Sequence, residues 1–173
     1  MMVSETCEKQ QDKIDVDALY NKANTLASKG KYEQAIPYYD KVLEIQPKNI
    51  EAVLNKGYAL GTMGKHSEAI SCFDTVLQLE TNNSDAMFWK GMALYKLGKY
   101  SESITCFDKC LEISPRDTQA LKEKGKSLRE LGKNERARWC FERALEINPK
   151  DSEALFQRNS IIDICGKKHG MYA

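Results

Sequence analysis

No apolar run in the 173 residues reaches the roughly 18 needed to suggest a membrane-spanning helix. Met1 to Lys13 is polar and charged and lacks the apolar stretch of a secretory signal. A surplus of one charge is missing too. Lys and Arg number 26 against 25 Asp and Glu, a net charge of +1, which removes the electrostatic case for a dedicated nucleic-acid or anionic-membrane binder. Proline (4) and glycine (10) are too scarce for a fibrous or disordered chain. These absences predict a cytoplasmic, globular, single-domain protein whose core comes from a 42% hydrophobic composition.

Chemistry-bearing constellations are equally sparse. The six cysteines (Cys7, Cys72, Cys106, Cys110, Cys140 and Cys165) include no C-x-x-C pair. Without a secretory signal they read as reduced, mostly buried hydrophobes. Cys106 and Cys110 are four apart and share a helix face, but neither His66 nor His169 is near enough in sequence to complete a zinc site. His66 falls in an expected inter-helix turn and His169 in the tail, so no nucleophile stands with a base and an orienting acid. Ala120 to Ser127 matches the loose phosphate-loop pattern, yet Gly125 is its only glycine and the segment falls mid-helix. Asn82-Asn83-Ser84 has the glycosylation spacing without an export signal. The expectation is a protein that is not an enzyme and takes no cofactor and no metal.

What is present is repetition. Shifted by 34 residues, the chain lies on itself: Gly30-Lys31, Gly64-Lys65, Gly98-Lys99, Gly132-Lys133 and Gly166-Lys167. Leu26, Leu60, Leu94, Leu128 and Ile162 form one column, and Tyr39, Phe73, Phe107 and Phe141 another. Small residues stand at Ala23, Gly57, Gly91 and Gly125, and again at Ala35, Ala69, Ser103 and Ala137. Pro47, Thr81, Pro115 and Pro149 close the units. Leu19, Ala23 and Leu26 are spaced i, i+4, i+7, as on one helix face. Gly30 can end that helix in a left-handed conformation. A second helix from Ala35 to Leu43 stops before Pro47. Pro37 lies near its first turns, where proline costs little.

These columns resemble the tetratricopeptide repeat family, over Val16 to Asp151 plus one further first helix. The resemblance implies an all-α, right-handed superhelical solenoid of antiparallel helix pairs. The divisions are a charged tail at 1–15, flexible or a helix extension; repeats at 16–49, 50–83, 84–117 and 118–151; a capping helix at 152–165; and a tail at 166–173. Arg158, Asn159 and Asp163 make the capping helix polar, as a solenoid end requires.

The resemblance also implies that the variable face of the first helices lines a concave groove where partners lie. That face carries Tyr20, Asn21 and Asn24, then Leu54, Asn55 and Tyr58, then Phe88, Trp89, Met92 and Tyr95. An exposed apolar and aromatic band of this kind marks a contact site, though Tyr58 and Tyr95 have packing between helices as their other reading. Asn21 and Asn55 are candidates to hold a partner's backbone. Lys122, Lys126 and Arg129 would attract a partner's acidic end, or else form a solvated face. The carboxylate clamp of some family members is not reproduced. Asn24 and Asn55 match its asparagines, but Tyr20, Asp85 and Trp89 stand where cations belong. Lys22, Lys56, Lys90, Lys124 and Arg158 form a cationic column, and Asp40, Asp74, Asp108 and Glu142 an acidic one, expected to be separate solvated faces, with a charged ladder along the solenoid as the alternative. The function expected is a protein–protein interaction module for a partner protein or peptide. The alternatives are self-assembly through the C-terminal end and, third, a nucleic-acid-binding helical repeat.

Overall fold

The computed structural model describes residues 15–169, with side chains as far as Ile161. The tail at 1–14, residues 170–173, and the side chains of Asp163 and Cys165 lie outside the described residues. The chain forms α1 (Val16–Ser28), α2 (Tyr32–Ile45), α3 (Ile50–Thr62), α4 (His66–Leu79), α5 (Ser84–Lys96), α6 (Tyr100–Ile113), α7 (Thr118–Glu130), α8 (Asn134–Ile147) and α9 (Ser152–His169). No strand occurs among the described residues. Each helix packs on its chain neighbours, giving a solenoid of helix pairs closed by α9. The first helices α1, α3, α5 and α7 also touch in succession, as they must on the inner side of a curved stack.

Helix boundaries repeat for identical reasons. Asp15, Asn49, Asn83, Asp117 and Asp151 each accept the backbone N–H three residues on with a side-chain oxygen, satisfying a donor the helix start leaves open. First helices end where Gly30, Gly64, Gly98 and Gly132 adopt φ of 72°, 81°, 73° and 71°. The Lys after each glycine donates its N–H back to the carbonyl of Leu26, Leu60, Leu94 or Leu128 at 2.9 Å, closing a Schellman motif. Thr81 in place of proline changes nothing, because Glu80 before it is as extended as Gln46 and Ser114. Pro37 stands in the second turn of α2, an exposed position where it removes a single intrahelical bond. Two boundaries differ from expectation. His66 is the first residue of α4 rather than part of a turn, and α9 continues through Gly166 to His169. Glycine permits a left-handed stop; it does not impose one.

The core runs along the seams between helices. Tyr39, Phe73, Phe107 and Phe141 are at most 1% exposed, each seated against the small residue of its own first helix. A Cβ at Gly57 would stand 2.8 Å from the Phe73 ring, at Gly91 2.8 Å from Phe107, and at Gly125 2.7 Å from Phe141. No larger residue fits there without moving an aromatic.

The charged columns are not separate faces. Lys56 pairs with Asp40 at 2.6 Å, Lys90 with Asp74 at 2.5 Å, and Lys124 with Asp108 at 2.5 Å. Each bridge ties the first helix of one unit back to the second helix of the unit before. The ladder stops at the cap: Arg158 bonds Asn159, and Glu142 is taken by Arg138.

Candidate functional site

Each first helix turns the same positions toward the inner side, and two neighbouring clefts form there among the predicted residues. The first is polar. The Tyr39 hydroxyl donates to Asn24 Oδ1 at 2.7 Å. Asn55 Nδ2 donates to the Tyr20 hydroxyl at 2.9 Å and to Asn24 Oδ1 at 3.2 Å. Burial pushes the Tyr39 phenol up to about 12, and raises that of Tyr20 as well. The Tyr39 hydroxyl therefore stays protonated as the donor to Asn24. Asn24, Tyr32, Asn55 and Tyr58 line this cleft, of about 300 Å³. Asn21 is exposed beside it on α1.

The second cleft is apolar. Tyr58 is 37% exposed and meets Trp89 edge-on with ring centroids 4.7 Å apart. Trp89 meets Phe88 at 5.2 Å, and Phe88 continues inward to buried Phe107 at 5.8 Å. Tyr58, His66, Trp89, Met92 and Lys96 border a cleft of about 190 Å³ with Gly61 in its wall. Tyr58 lines both clefts, so they adjoin at its ring. The aromatic band is thus half packed and half open. Leu54 leans into the core, and Tyr95 packs on Tyr100 at 5.4 Å, away from the clefts. His66, Lys96, Tyr32 and Gly61 also line the clefts, beyond the residues the sequence pattern singled out. Their signal was in the columns, where His66 interrupts Tyr32 and Tyr100, and Gly61 sits between Ala27 and Tyr95.

The expectation of available cations on α7 is corrected. Lys122 is buried and binds Asp151 at 3.0 Å and Glu153 at 2.9 Å. Lys126 binds Glu153 at 2.5 Å and Glu123 at 2.8 Å. Arg129 bonds Gln157 and reaches Glu130 at 3.7 Å. Burial alone would lower both lysines, but the hydrogen bonds they donate to these carboxylates outweigh it and raise them. The Lys126 and Lys122 ammonium groups hold Glu153 below the usual carboxylate range. The Ala154 N–H, and then Lys122, do the same for Asp151. The cluster fastens α9 to α7, because the cap brings carboxylates that sequence spacing does not bring near.

Among the described residues no group of three His, Cys, Asp or Glu is gathered for a metal ion. No helix among them is long and apolar enough to cross a membrane. On the outer face, Trp139 of α8 is 54% exposed, with Arg143 5.8 Å from its ring.

Three family profiles match the chain. Two describe tetratricopeptide repeats, at residues 16–49 and 38–71, and one describes subunit 3 of the anaphase-promoting complex, or cyclosome, at residues 62–144. Comparison with curated protein sequences gives no match. Among solved structures, residues 41 to the end of MamA from Desulfovibrio magneticus RS-1 superpose with TM-score 0.83 at 20% identity, over 90% of this chain and 88% of that one. YrrB, a TPR protein with an unusual peptide-binding site, gives 0.75 at 24% identity over 95% and 84%. The first TPR of Spaghetti (RPAP3), bound to the HSP90 peptide SRMEEVD, gives 0.65 at 23% over 68% and 93%. At these identities the likeness is one of fold.

Proposed function

The chain belongs to the tetratricopeptide repeat family, and from that premise we propose that it is a protein-interaction module holding an extended segment of a partner protein along its inner face. One observation carries the reading: a polar cleft of asparagine and tyrosine side chains lies beside an aromatic cleft, with Tyr58 lining both. A peptide needs both kinds of surface, amides for its backbone and apolar walls for its side chains. Asn21 and Asn55 would take the backbone, and Tyr58, Trp89 and Met92 the side chains. Peptide binding by YrrB and by the Spaghetti (RPAP3) domain supports this use of the fold.

In this reading the protein has no catalytic role of its own, and its free thiols suit a reducing, cytoplasmic setting. Self-assembly through the C-terminal end has less behind it. Asn159 of α9 stands where Gly57, Gly91 and Gly125 seat an aromatic from a second helix. Nucleic-acid binding has less still, since Lys122 and Lys126 already hold carboxylates.

The test is selection from a displayed peptide library, with hits measured by fluorescence anisotropy against wild type and Trp89→Ala. Trp89→Ala should cost about 2 kcal/mol or more, mainly through faster dissociation. Hits that bind Trp89→Ala and Asn55→Ala as tightly as wild type would move the site to the outer face around Trp139.

A further inference from the structure

Gly61 has no structural reason to be glycine. Gly57, Gly91 and Gly125 are forced by aromatic rings, and Gly30, Gly64, Gly98 and Gly132 by positive φ. Gly61 lies inside α3 with an ordinary helical backbone, and a Cβ there would meet only Ala69 Cβ, at 3.7 Å. A helix-interior glycine is unfavourable relative to alanine. What it leaves open is the wall of the apolar cleft. The corresponding space one unit on is filled by Tyr95 packed against Tyr100. In the second unit the matching positions hold Gly61 and His66. A missing side chain at one position and a smaller ring at the other thus coincide to make one opening.

The opening is sized and charged for a particular guest. An apolar cavity of about 150 Å³ accepts a benzene ring, and this one is about 190 Å³. The edge-on rings of Tyr58 and Trp89, 73° apart, form a wedge, and Met92 adds an adaptable thioether. The rim carries Lys96 and His66 and no carboxylate. Lys96 makes no ion pair among the described residues, unlike Lys90, Lys122 or Lys126. The opposite end of the inner face, at the first turns of α1, α3 and α5, carries exposed Asp17, Glu51 and Asp85.

We infer that this cleft is the specificity pocket of the protein, taking one phenylalanine or similarly large apolar side chain of a partner segment whose adjacent residue is acidic and pairs with Lys96. The inference rests on the inner-face reading above and goes further by naming the anchor and its neighbour.

The probe is a capped pentapeptide, glycine-aspartate-phenylalanine-aspartate-glycine, titrated into isotope-labelled full-length protein by NMR to concentrations on the order of millimolar. Its addition should shift the Trp89 indole N–H and the amides of Gly61, His66 and Ala93. Gly61→Leu and His66→Tyr each fill the cleft and should weaken binding about tenfold or more, while Gly61→Ala, the control for folding, melts no lower than wild type. Lys96→Ala should weaken it about two- to fivefold. The analogue with asparagine for aspartate should lose a similar factor on wild type and nothing further on Lys96→Ala. Absence of shifts at the cleft, or unchanged affinity in both filled variants, overturns the inference. Shifts confined to Asn21, Asn24 and Asn55 overturn it while leaving the inner-face reading intact. Shifts only around Trp139 overturn both.

Discussion

The hydroxyl oxygens of Ser103 and Ser127 stand 3.1 Å apart in the buried seam between α6 and α7. Ser103 stands in a column with Ala35, Ala69 and Ala137, and Ser127 in one with Thr25, Ala59 and Ala93. The two polar side chains satisfy one another. Ser127 donates its single proton to the Glu123 carbonyl at 2.9 Å, so Ser103 is the donor of the pair. Removal should therefore be asymmetric. Ser127→Ala strands a buried donor and should cost about 1–3 kcal/mol, Ser103→Ala less, and the double variant close to nothing. A urea-denaturation double-mutant cycle measures this. Equal, additive losses would show that the pair is not coupled.

Glycines in α3 and α5 should respond to alanine in opposite directions. Gly91→Ala drives a methyl to within 2.8 Å of buried Phe107 and should destabilise by about 1–3 kcal/mol. Gly61→Ala meets only ordinary contact and should stabilise by about 0.5–1 kcal/mol. Thermal and urea unfolding of the two variants decides. Matching signs would disprove the close-packing assignment of the small-residue column.

Docking of α9 should depend on pH at both extremes. Asp151 and Glu153 have lowered folded-state values, so their contribution is full above the unfolded carboxylate range, about 4, and is lost as pH falls below it. Lys122 and Lys126 have raised values, so theirs is full below about 10 and is lost as pH rises through the folded value. The cap should hold steadily from about pH 5 to 9 and loosen in acid before the central units do. Amide signals of α9 followed by NMR against pH would reveal this. Lys122→Met should cost about 1–3 kcal/mol at neutral pH by leaving the half-buried Asp151 carboxylate without its cation. A uniform acid response along the chain would contradict the latch.

The buried thiols should be inert in the native state. Burial pushes Cys110 and Cys140 up to about 11, and raises Cys72 and Cys106. Aromatic disulfide reagents at pH about 8 should label Cys110 and Cys140 only after denaturation. Rapid native labelling at either, located by peptide mass spectrometry, would show that the second helices open readily.

Legibility in the sequence divides by the range of the physics involved. Helix stops at Gly30 and Gly64 were readable because a glycine, a following lysine and a preceding leucine recur in one local arrangement. The N-caps Asp15, Asn49, Asn83, Asp117 and Asp151 are equally local, each an Asp or Asn just ahead of a first helix. Helical periodicity alone puts the inner-face residues Asn24, Asn55, Tyr58 and Trp89 on one side. That Phe88 leans on Phe107 while Tyr58 stays half open was not legible. It depends on how far the next helix stands away.

The sequence by itself determined the repeating unit, the glycine stops of its first helices and the residues that fill its seams. Those follow from hydrophobic period and backbone chemistry, which act within a few residues and are restated every 34. Only the tertiary structure decided which charges meet. Lys56 reaches Asp40 because the first helix of one unit lies against the second helix of the unit before, and Lys122 is consumed by Asp151 and Glu153 because α9 docks on α7. Electrostatic pairing falls off over a few ångströms, so it belongs to the placement of helices rather than to their order. The cleft beside Gly61 has the same origin. It is a space left between Tyr58, His66 and Trp89, and no one residue encodes it.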